Sequence, residues 1–588
     1  MKSNYDKFPF IKVKWDSWEG WQGWEAVGKG IGDSVGRLKG KKKVIAIETY
    51  PGVQDEEVLP QLQALLPSGT FYLTKDAMLS EEEVMRLVYP DVTDDEVFGY
   101  ITRLVMSDFF DKSKLGVMRE EIRQQESGVI YIYGTGATLI ADSRDLLVYF
   151  DMPRWEAQLR FRRNETANLG LTNKESKASL KYKQAFFVDW RVADKHKKTV
   201  MGLNTWNLVV DSTKAGLPRM IRGEDLHMAF ADAVCQPFRL VPFFDPGPWG
   251  GQWMKEVCDL DNSQPNYAWC FDCVPEENSL LFLFGDILFE TPAINLVFIQ
   301  SRELLGEAVQ ARFGDEFPIR FDFLDTMGGG NLSLQVHPST EYIRRQFGMD
   351  YTQDESYYIL DAAEGAHVYL GLKDKIFPSA MIRELEEAQE GGAPFDADKF
   401  VGKWSVKKHD HVLIPAGTIH CSGKNSMVLE ISATPYIFTF KLWDWGRLGL
   451  DGKPRPINIG HGQKVIDWDL TPDRTKKELI NVVEVVAEGE GWIEERTGLH
   501  EREFIETRRH WFTGKVGHAA NGSVHVLNLV EGREVLVESV SGTFEPFVVH
   551  YAETFVVPAA AGDYSITPHG ESVGQRCATM KAFVRKNA

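Results

Sequence analysis

The residues best suited to chemistry are Gln335, His337, Glu355 and His420. In Asn331-Leu-Ser-Leu-Gln-Val-His-Pro338, Leu332, Leu334 and Val336 alternate with Ser333, Gln335 and His337, so a strand turns Gln335 and His337 to one face. A single histidine on such a face is usually a satisfied core residue; a glutamine beside it favours a ligand. Glu355 is the only charged member of Glu355-Ser-Tyr-Tyr-Ile-Leu360, and a carboxylate entering an apolar strand needs a partner or a cation. In His411-Val-Leu-Ile-Pro-Ala-Gly-Thr-Ile-His420 a strand ends at Pro415, turns through Gly417, and the next strand opens with His420. Two imidazoles, a carboxylate and an amide oxygen form a mixed N/O set suited to one Zn²⁺ or a similar divalent ion. Gathered on one side, they leave a position for a substrate oxygen, the mark of a catalytic site.

These ligands need a scaffold. A chain of 588 residues implies several domains. Val44–Ile47, Gly128–Tyr133 and Leu146–Phe150 read as buried strands separated by amphipathic helical stretches, which predicts a mostly parallel α/β domain over 1–230. From Phe238 onward turn signals crowd together and period-2 strands dominate, apart from a helical stretch near Ala380 to Glu390. This predicts a β-rich barrel over 231–465 and, beyond the charged Lys464–Lys477, another over 466–588. His411-Val-Leu-Ile-Pro-Ala-Gly417 is echoed by Thr554-Phe-Val-Val-Pro-Ala-Ala560, but five residues past the proline the echo has Asp563 where the first copy has His420. The expectation is two related barrels, only the first with metal ligands.

The net charge of −19 argues against a nucleic-acid or anionic-membrane partner; an anionic small molecule would need a local basic cluster. Six cysteines do not make a disulfide scaffold, and Cys270 and Cys273 form a single C-x-x-C read as unpaired thiols. Met1–Trp15 lacks an apolar signal segment and no apolar run is long enough to span a bilayer, so a cytoplasmic location is expected. In Val44-Ile-Ala-Ile-Glu-Thr-Tyr-Pro-Gly-Val-Gln-Asp-Glu-Glu57 a strand runs toward a helix where a phosphate-binding loop would stand. Only Gly52 is suitably placed, and Asp55 and Glu56 occupy the Lys–Ser position, where they would repel a triphosphate.

Leu334-Gln-Val-His-Pro338, Glu355-Ser-Tyr-Tyr-Ile-Leu360, Ile414-Pro-Ala-Gly-Thr-Ile-His420 and Pro248-Trp-Gly-Gly251, in this order and at these distances, resemble the class I mannose-6-phosphate isomerases over about 235–588. The resemblance implies two cupin-type β-barrels (a bicupin), with Gln335, His337, Glu355 and His420 as ligands of a zinc ion. Where that family has an active-site arginine, Phe438-Thr-Phe-Lys-Leu-Trp-Asp-Trp-Gly-Arg447 has Lys441, with Arg447 further on. A lysine keeps the charge but loses the planar fork. Lys441 and Arg447 are therefore the candidate catalytic residues, with Arg320 and Lys373 as further phosphate or substrate contacts. Val129–Ala137, Arg144–Pro153 and Phe187-Val-Asp-Trp190 resemble uridine-kinase-like nucleoside kinases, implying a P-loop-kinase-like fold over 1–230 that lacks the phosphoryl-transfer lysine.

The implied activity is interconversion of mannose 6-phosphate and fructose 6-phosphate through a cis-enediol, with Glu430, Lys441 or a bound water as candidate base. A metal cupin acting on another sugar, an oxygenase, and a non-catalytic sugar-phosphate sensor are the alternatives. Gln335 as a fourth ligand leaves less room for O₂ than the two-histidine, one-carboxylate triad.

Overall fold

The computed structural model describes residues 3–585 apart from 142, 203–204, 434–436, 449–454, 456, 499 and 501–502. The chain forms two compact units, each discontinuous in sequence: Phe10–Asp232 with Glu276–Ile299, and Met1–Pro9 with Ala233–Pro275 and Gln300–Ala588. This corrects the domain boundaries in two places. Glu276–Ile299, expected within the 231–465 domain, folds with the α/β unit. The hairpin Ser279–Phe284/Ile287–Pro292 forms a sheet with Ile11–Lys12, and Asn295 bonds Asp151 at 2.8 Å. Conversely, Asp6 donates its backbone N–H to Glu553 at 2.7 Å, which ties the first residues to the β unit. Residues 466–588 belong to the same compact unit as the metal-binding strands.

The α/β unit is built on a seven-stranded sheet ordered Gly20–Gln22, Arg219–Arg222, Leu208–Asp211, Leu146–Asp151, Lys42–Thr49, Gly128–Gly134, Thr70–Leu73. The last five are parallel to one another. Ile45, Ala46, Ile47, Ile130, Ile132, Leu147 and Val148 are wholly buried, the continuous apolar runs of strands covered on both faces. The charge at the centre is neutralised locally: Lys197, 1% exposed, donates to both Asp151 oxygens at 2.8 and 2.9 Å and to Asn295 at 3.1 Å.

The β unit contains two pairs of sheets. In the first pair, a six-stranded sheet runs His411–Ile414, Glu355–Ala362, Ser426–Ala433, Ile319–Asp325, Trp269–Cys273, Phe243–Asp245. Its five-stranded companion runs Val401–Ser405, His367–Leu372, His420–Ser422, Leu334–Val336, Phe440–Trp443. The helical stretch expected near 380–390 is the helix Pro378–Gln389. The second pair has six and four strands around Phe512, Leu527, Leu529, Val535, Val537 and Phe555. The echoed segments His411–Ile414 and Thr554–Val557 each form an end strand of a six-stranded sheet. Asp563, in place of a histidine, accepts the Ala520 N–H at 2.8 Å.

One feature of the second pair escaped the sequence reading. His525 shares the inward face of its strand with Leu527 and Leu529, and His510, His518 and His525 are all buried. The His510 and His518 rings are 4.4 Å apart. Burial keeps these imidazoles neutral: His510 is pushed down to about 4, His518 and His525 well below the usual histidine range. His411 in the first pair falls to about 3. Such groups bind fewer protons folded than unfolded. Their contribution is therefore intact above the unfolded pKa of about 6.5 and is lost as pH falls from there through the folded value. For His510, pushed down to about 4, we expect the β unit to lose up to roughly 1.4 kcal/mol per pH unit between about pH 6.5 and 4. Thermal unfolding at pH 7, 6 and 5 measures this, and His510→Phe should flatten the slope; an unchanged slope refutes the assignment. Among the described residues, no helix is long and apolar enough to cross a membrane.

Candidate metal centre

Each ligand's position follows from its element. Gln335 lies on Leu334–Val336, and His337 immediately follows that strand. Glu355 opens Glu355–Ala362 of the opposing sheet, and His420 opens His420–Ser422. Gln335 and His420 are direct cross-strand partners. The turn before His420 is held by Gly417 N–H on the His337 carbonyl at 3.0 Å and Ala416 N–H on Asp354 at 2.8 Å. Gly417 has φ +90°, and a Cβ there would meet the Val465 carbonyl at 2.9 Å, so glycine is required.

His337, Glu355 and His420 are the one group of three or more His, Cys, Asp or Glu side chains, among the described residues, whose donor atoms all fall within 4.8 Å of one another. His337 Nε2 is 3.1 Å from one Glu355 oxygen and His420 Nε2 2.9 Å from the other. Yet His337 Nε2 and Glu355 Oε1 are buried and make no hydrogen bond among the described residues. Atoms this close without hydrogen-bond geometry direct their lone pairs toward a common point. The far side of each ring agrees, because His337 Nδ1 lies 3.1 Å from the Phe438 carbonyl and His420 Nδ1 2.9 Å from the Thr418 carbonyl. A carbonyl only accepts, so each Nδ1 carries the proton and each Nε2 presents a lone pair inward, the tautomer a metal-binding imidazole needs. The Gln335 amide lies 3.2 Å from His420 Nε2, and a half-turn of the amide exchanges its nitrogen for the ligating oxygen. The donor set thus fits a divalent ion.

The electrostatics are those of the site before a cation enters, when Glu355 and the imidazoles stabilise one another's charged forms and a metal would have to displace the proton between them. Burial alone would raise the Glu355 carboxyl, but His337 and His420 outweigh it and hold it well below the usual carboxylate range. Burial would depress His337, but Glu355 raises it.

The basic candidates separate. Lys441 is the other cross-strand partner of Gln335 and so shares its face; burial first, then Arg455, push its ammonium down to about 8. Arg447 donates to the Asn331 carbonyl and, at 3.2 Å, to the Asp444 carbonyl, and lies 3.5 Å from the Asp444 carboxylate. These contacts brace a loop. Arg320 is 5% exposed and is ion-paired with Asp322 at 2.9 Å and Glu430 at 3.4 Å, a buried charge layer one strand removed from Glu355–Ala362. Lys373 bonds the Asp398 carbonyl on the surface. Glu430 is driven well above its usual range by burial, Asp322 and Glu355. Cys270 and Cys273 are buried and outside any disulfide among the described residues, and burial pushes Cys270 up.

The sequence reading missed the supports. Phe438 and Thr418 act through main-chain carbonyls that no side chain announces. Gln353, which donates to Glu355 at 3.1 Å, and Asp322, two residues past Arg320, were visible as polar residues beside or within strands.

A family model described as a domain of unknown function (DUF8485) matches residues 23–235. Among curated relatives, the mannose-6-phosphate isomerase ManA of Bacillus subtilis is 25% identical over 240 residues, 41% of this chain and 70% of the relative. The mannose-6-phosphate isomerase of Streptococcus mutans is 26% identical over 213 residues, 36% of this chain and 61% of the relative. Among solved structures, the mannose 6-phosphate isomerase of Bacillus subtilis aligns with a TM-score of 0.47 at 19% identity, covering 59% of this chain and all but 1% of that one.

Proposed function

We propose that the chain is a metal-dependent aldose–ketose isomerase acting on a sugar phosphate, and specifically that it interconverts mannose 6-phosphate and fructose 6-phosphate. The observation carrying this reading is the convergence of His337, Glu355 and His420 with both imidazoles held in the ligand tautomer. The similarity to two named mannose-6-phosphate isomerases supports the substrate. One zinc ion per chain, held by these three residues and Gln335, would supply Lewis-acid polarisation of the sugar's carbonyl and hydroxyl oxygens. Within this reading each sheet pair is a cupin barrel and the protein works in the cytoplasm. The α/β unit is kinase-like but without phosphoryl transfer, since Asp55, Glu56 and Glu57 fill the first turn of the helix Asp55–Leu65.

The chain's own contribution is a positive charge. Moving a proton between C1 and C2 leaves negative charge on the enediol oxygens, and a fixed cation beside it lowers the barrier. Lys441, on the Gln335 face, supplies it as the ammonium ion. Lys441→Ala should retain the metal and lower kcat roughly 10²-fold. Because only the protonated amine acts, kcat/KM should fall as pH rises through about 8, and Lys441→Arg should remove that alkaline limb. An alanine variant with unchanged kcat removes Lys441 from the mechanism.

The primary test is an assay of purified full-length protein, with zinc and with manganese, on mannose 6-phosphate beside a panel of phosphorylated and free aldoses. Turnover of mannose 6-phosphate above all others supports the reading. Preference for another sugar keeps the chemistry and moves the substrate, and metal binding without turnover of any aldose leaves a sensor.

A further inference from the structure

In a chain of net charge −19 an anionic substrate has to be met by a local group of cations. Neither Arg320, held in its buried charge layer, nor Lys373, bound to a surface carbonyl, supplies one. A basic cluster does stand beside the metal centre. Lys441 opposes Gln335, and the chain beyond its strand brings Arg447 and Arg455 to one carboxylate, Asp444. Arg455 lies 2.9 Å from one oxygen of Asp444 and Arg447 3.5 Å from the other. Ser333, two residues before Gln335, donates to that second oxygen at 2.7 Å. Asp444 is 3% exposed, so the carboxylate is a fixed post between the strand Phe440–Trp443 and the segment leading into Leu334–Val336.

Three cations around one carboxylate leave a positive surplus, and the cations feel one another. Burial is the first cause that lowers the Lys441 ammonium and Arg455 the second. Burial also lowers Arg447, with Asp444 opposing and Arg455 adding to the fall. Like charges held this close are costly until an anion joins them.

The three are not equally available. Lys441 is the charge assigned to the enediol oxygens, and Arg447 is engaged by the Asn331 and Asp444 carbonyls. Arg455 approaches Asp444 through Nη1, its side chain is 22% exposed, and it makes no hydrogen bond among the described residues. A guanidinium offers five donors in a planar fork that matches two phosphate oxygens; with Nη1 against Asp444, the remaining donors are left for a second anion. The position suits the substrate. In a hexose 6-phosphate the phosphate stands at the far end of the carbon chain from C1 and C2, so its anchor must lie to one side of the metal ligands. The cluster follows Phe440–Trp443, the strand paired with Leu334–Val336.

We propose that Arg455 is the specificity-determining residue for the substrate's phosphate: its guanidinium, held by Asp444, pairs with the phosphate oxygens and selects the phosphorylated over the free aldose. This rests on the isomerase reading and names the group within it that recognises the anion. The test uses zinc-loaded full-length protein, with steady-state kinetics on mannose 6-phosphate and on mannose, and calorimetric titration with inorganic phosphate, for the parent, Arg455→Ala and Arg455→Lys. We expect Arg455→Ala to raise KM for mannose 6-phosphate roughly 30-fold, about the loss of one hydrogen bond between charged groups, and to change kcat far less, the mark of lost ground-state binding. Its preference for mannose 6-phosphate over mannose should narrow, and inorganic phosphate should bind more weakly by a similar factor. Arg455→Lys keeps the charge without the fork and should recover part of both losses. A residue that only braced Asp444 would lower kcat or the melting temperature and leave phosphate binding unmoved. The inference is overturned if KM and phosphate binding of Arg455→Ala match those of the parent, or if Arg455→Lys does no better than alanine. Failure of the isomerase reading looks different: the parent then turns over no aldose, while weaker phosphate binding in Arg455→Ala still marks the anion site.

Discussion

His337→Ala reduces both metal content and isomerase turnover to background, a loss of roughly 10³-fold or more in kcat, the scale of the several kcal/mol of charge stabilisation that a bound dication provides. Three features of the site make the effect large. His337 Nε2 is wholly buried with its lone pair directed inward, its tautomer is set by the Phe438 carbonyl, and no other imidazole among the described residues can replace it within reach of Glu355. The variant also leaves Glu355 buried with one imidazole instead of two, so a lower melting temperature accompanies the loss of activity. Metal analysis and initial-rate kinetics on the same preparation read the result, with circular dichroism to verify the fold. Gln335→Ala keeps the three charged and imidazole ligands and should weaken metal binding rather than abolish it. If His337→Ala retains metal and turnover together, the four-ligand site is wrong.

The second large effect lies in the α/β unit and concerns stability. Lys197→Met removes the ammonium that satisfies both oxygens of Asp151, itself 2% exposed. Asn295 and the Met152 N–H remain, but neither carries charge. Breaking a buried pair from one side costs about 3–5 kcal/mol; replacing both partners with apolar groups of similar size costs far less. For a unit of this size that cost lowers the melting temperature by roughly 6–20 °C. Calorimetry on Lys197→Met and on the double variant Lys197→Met/Asp151→Leu measures it. The double variant should recover part of the loss; if it melts below the single variant, the pair is not the source of the effect.

Alternation and buried charge carried the sequence reading furthest in the metal centre. Leu332-Ser-Leu-Gln-Val-His337 could present Gln335 and His337 on one face only as a strand, and Glu355 could enter its apolar strand only toward a cation or imidazoles. The parallel strands of the α/β unit were equally plain, because a strand covered on both sides is apolar throughout. Local patterns of this kind need no knowledge of the rest of the chain.

Other features depend on contacts between distant segments, to which local patterns are blind. Ser279–Pro292 reads as an ordinary hairpin, and nothing in it says that Asn295 will reach Asp151. Arg320 and Arg447 carry the same charge as Lys441 at similar exposed-looking positions; only the register that opposes Lys441 to Gln335, and the carboxylates that meet Arg320, separate a candidate catalytic charge from structural ones. The second sheet pair was read as lacking ligands because Asp563 stands where a histidine was sought. Its buried imidazoles come from three different strands, and they lie close because the space between two packed sheets collects every second residue of each strand.

The sequence by itself therefore determined which side chains could hold a metal, because residue type and strand alternation are properties of short segments. The tertiary structure alone decided that their lone pairs converge, that carbonyls from Phe438 and Thr418 set the tautomers, and that Lys441 is the cation on that face. Distance, direction and burial are properties of the packed chain and of no segment within it.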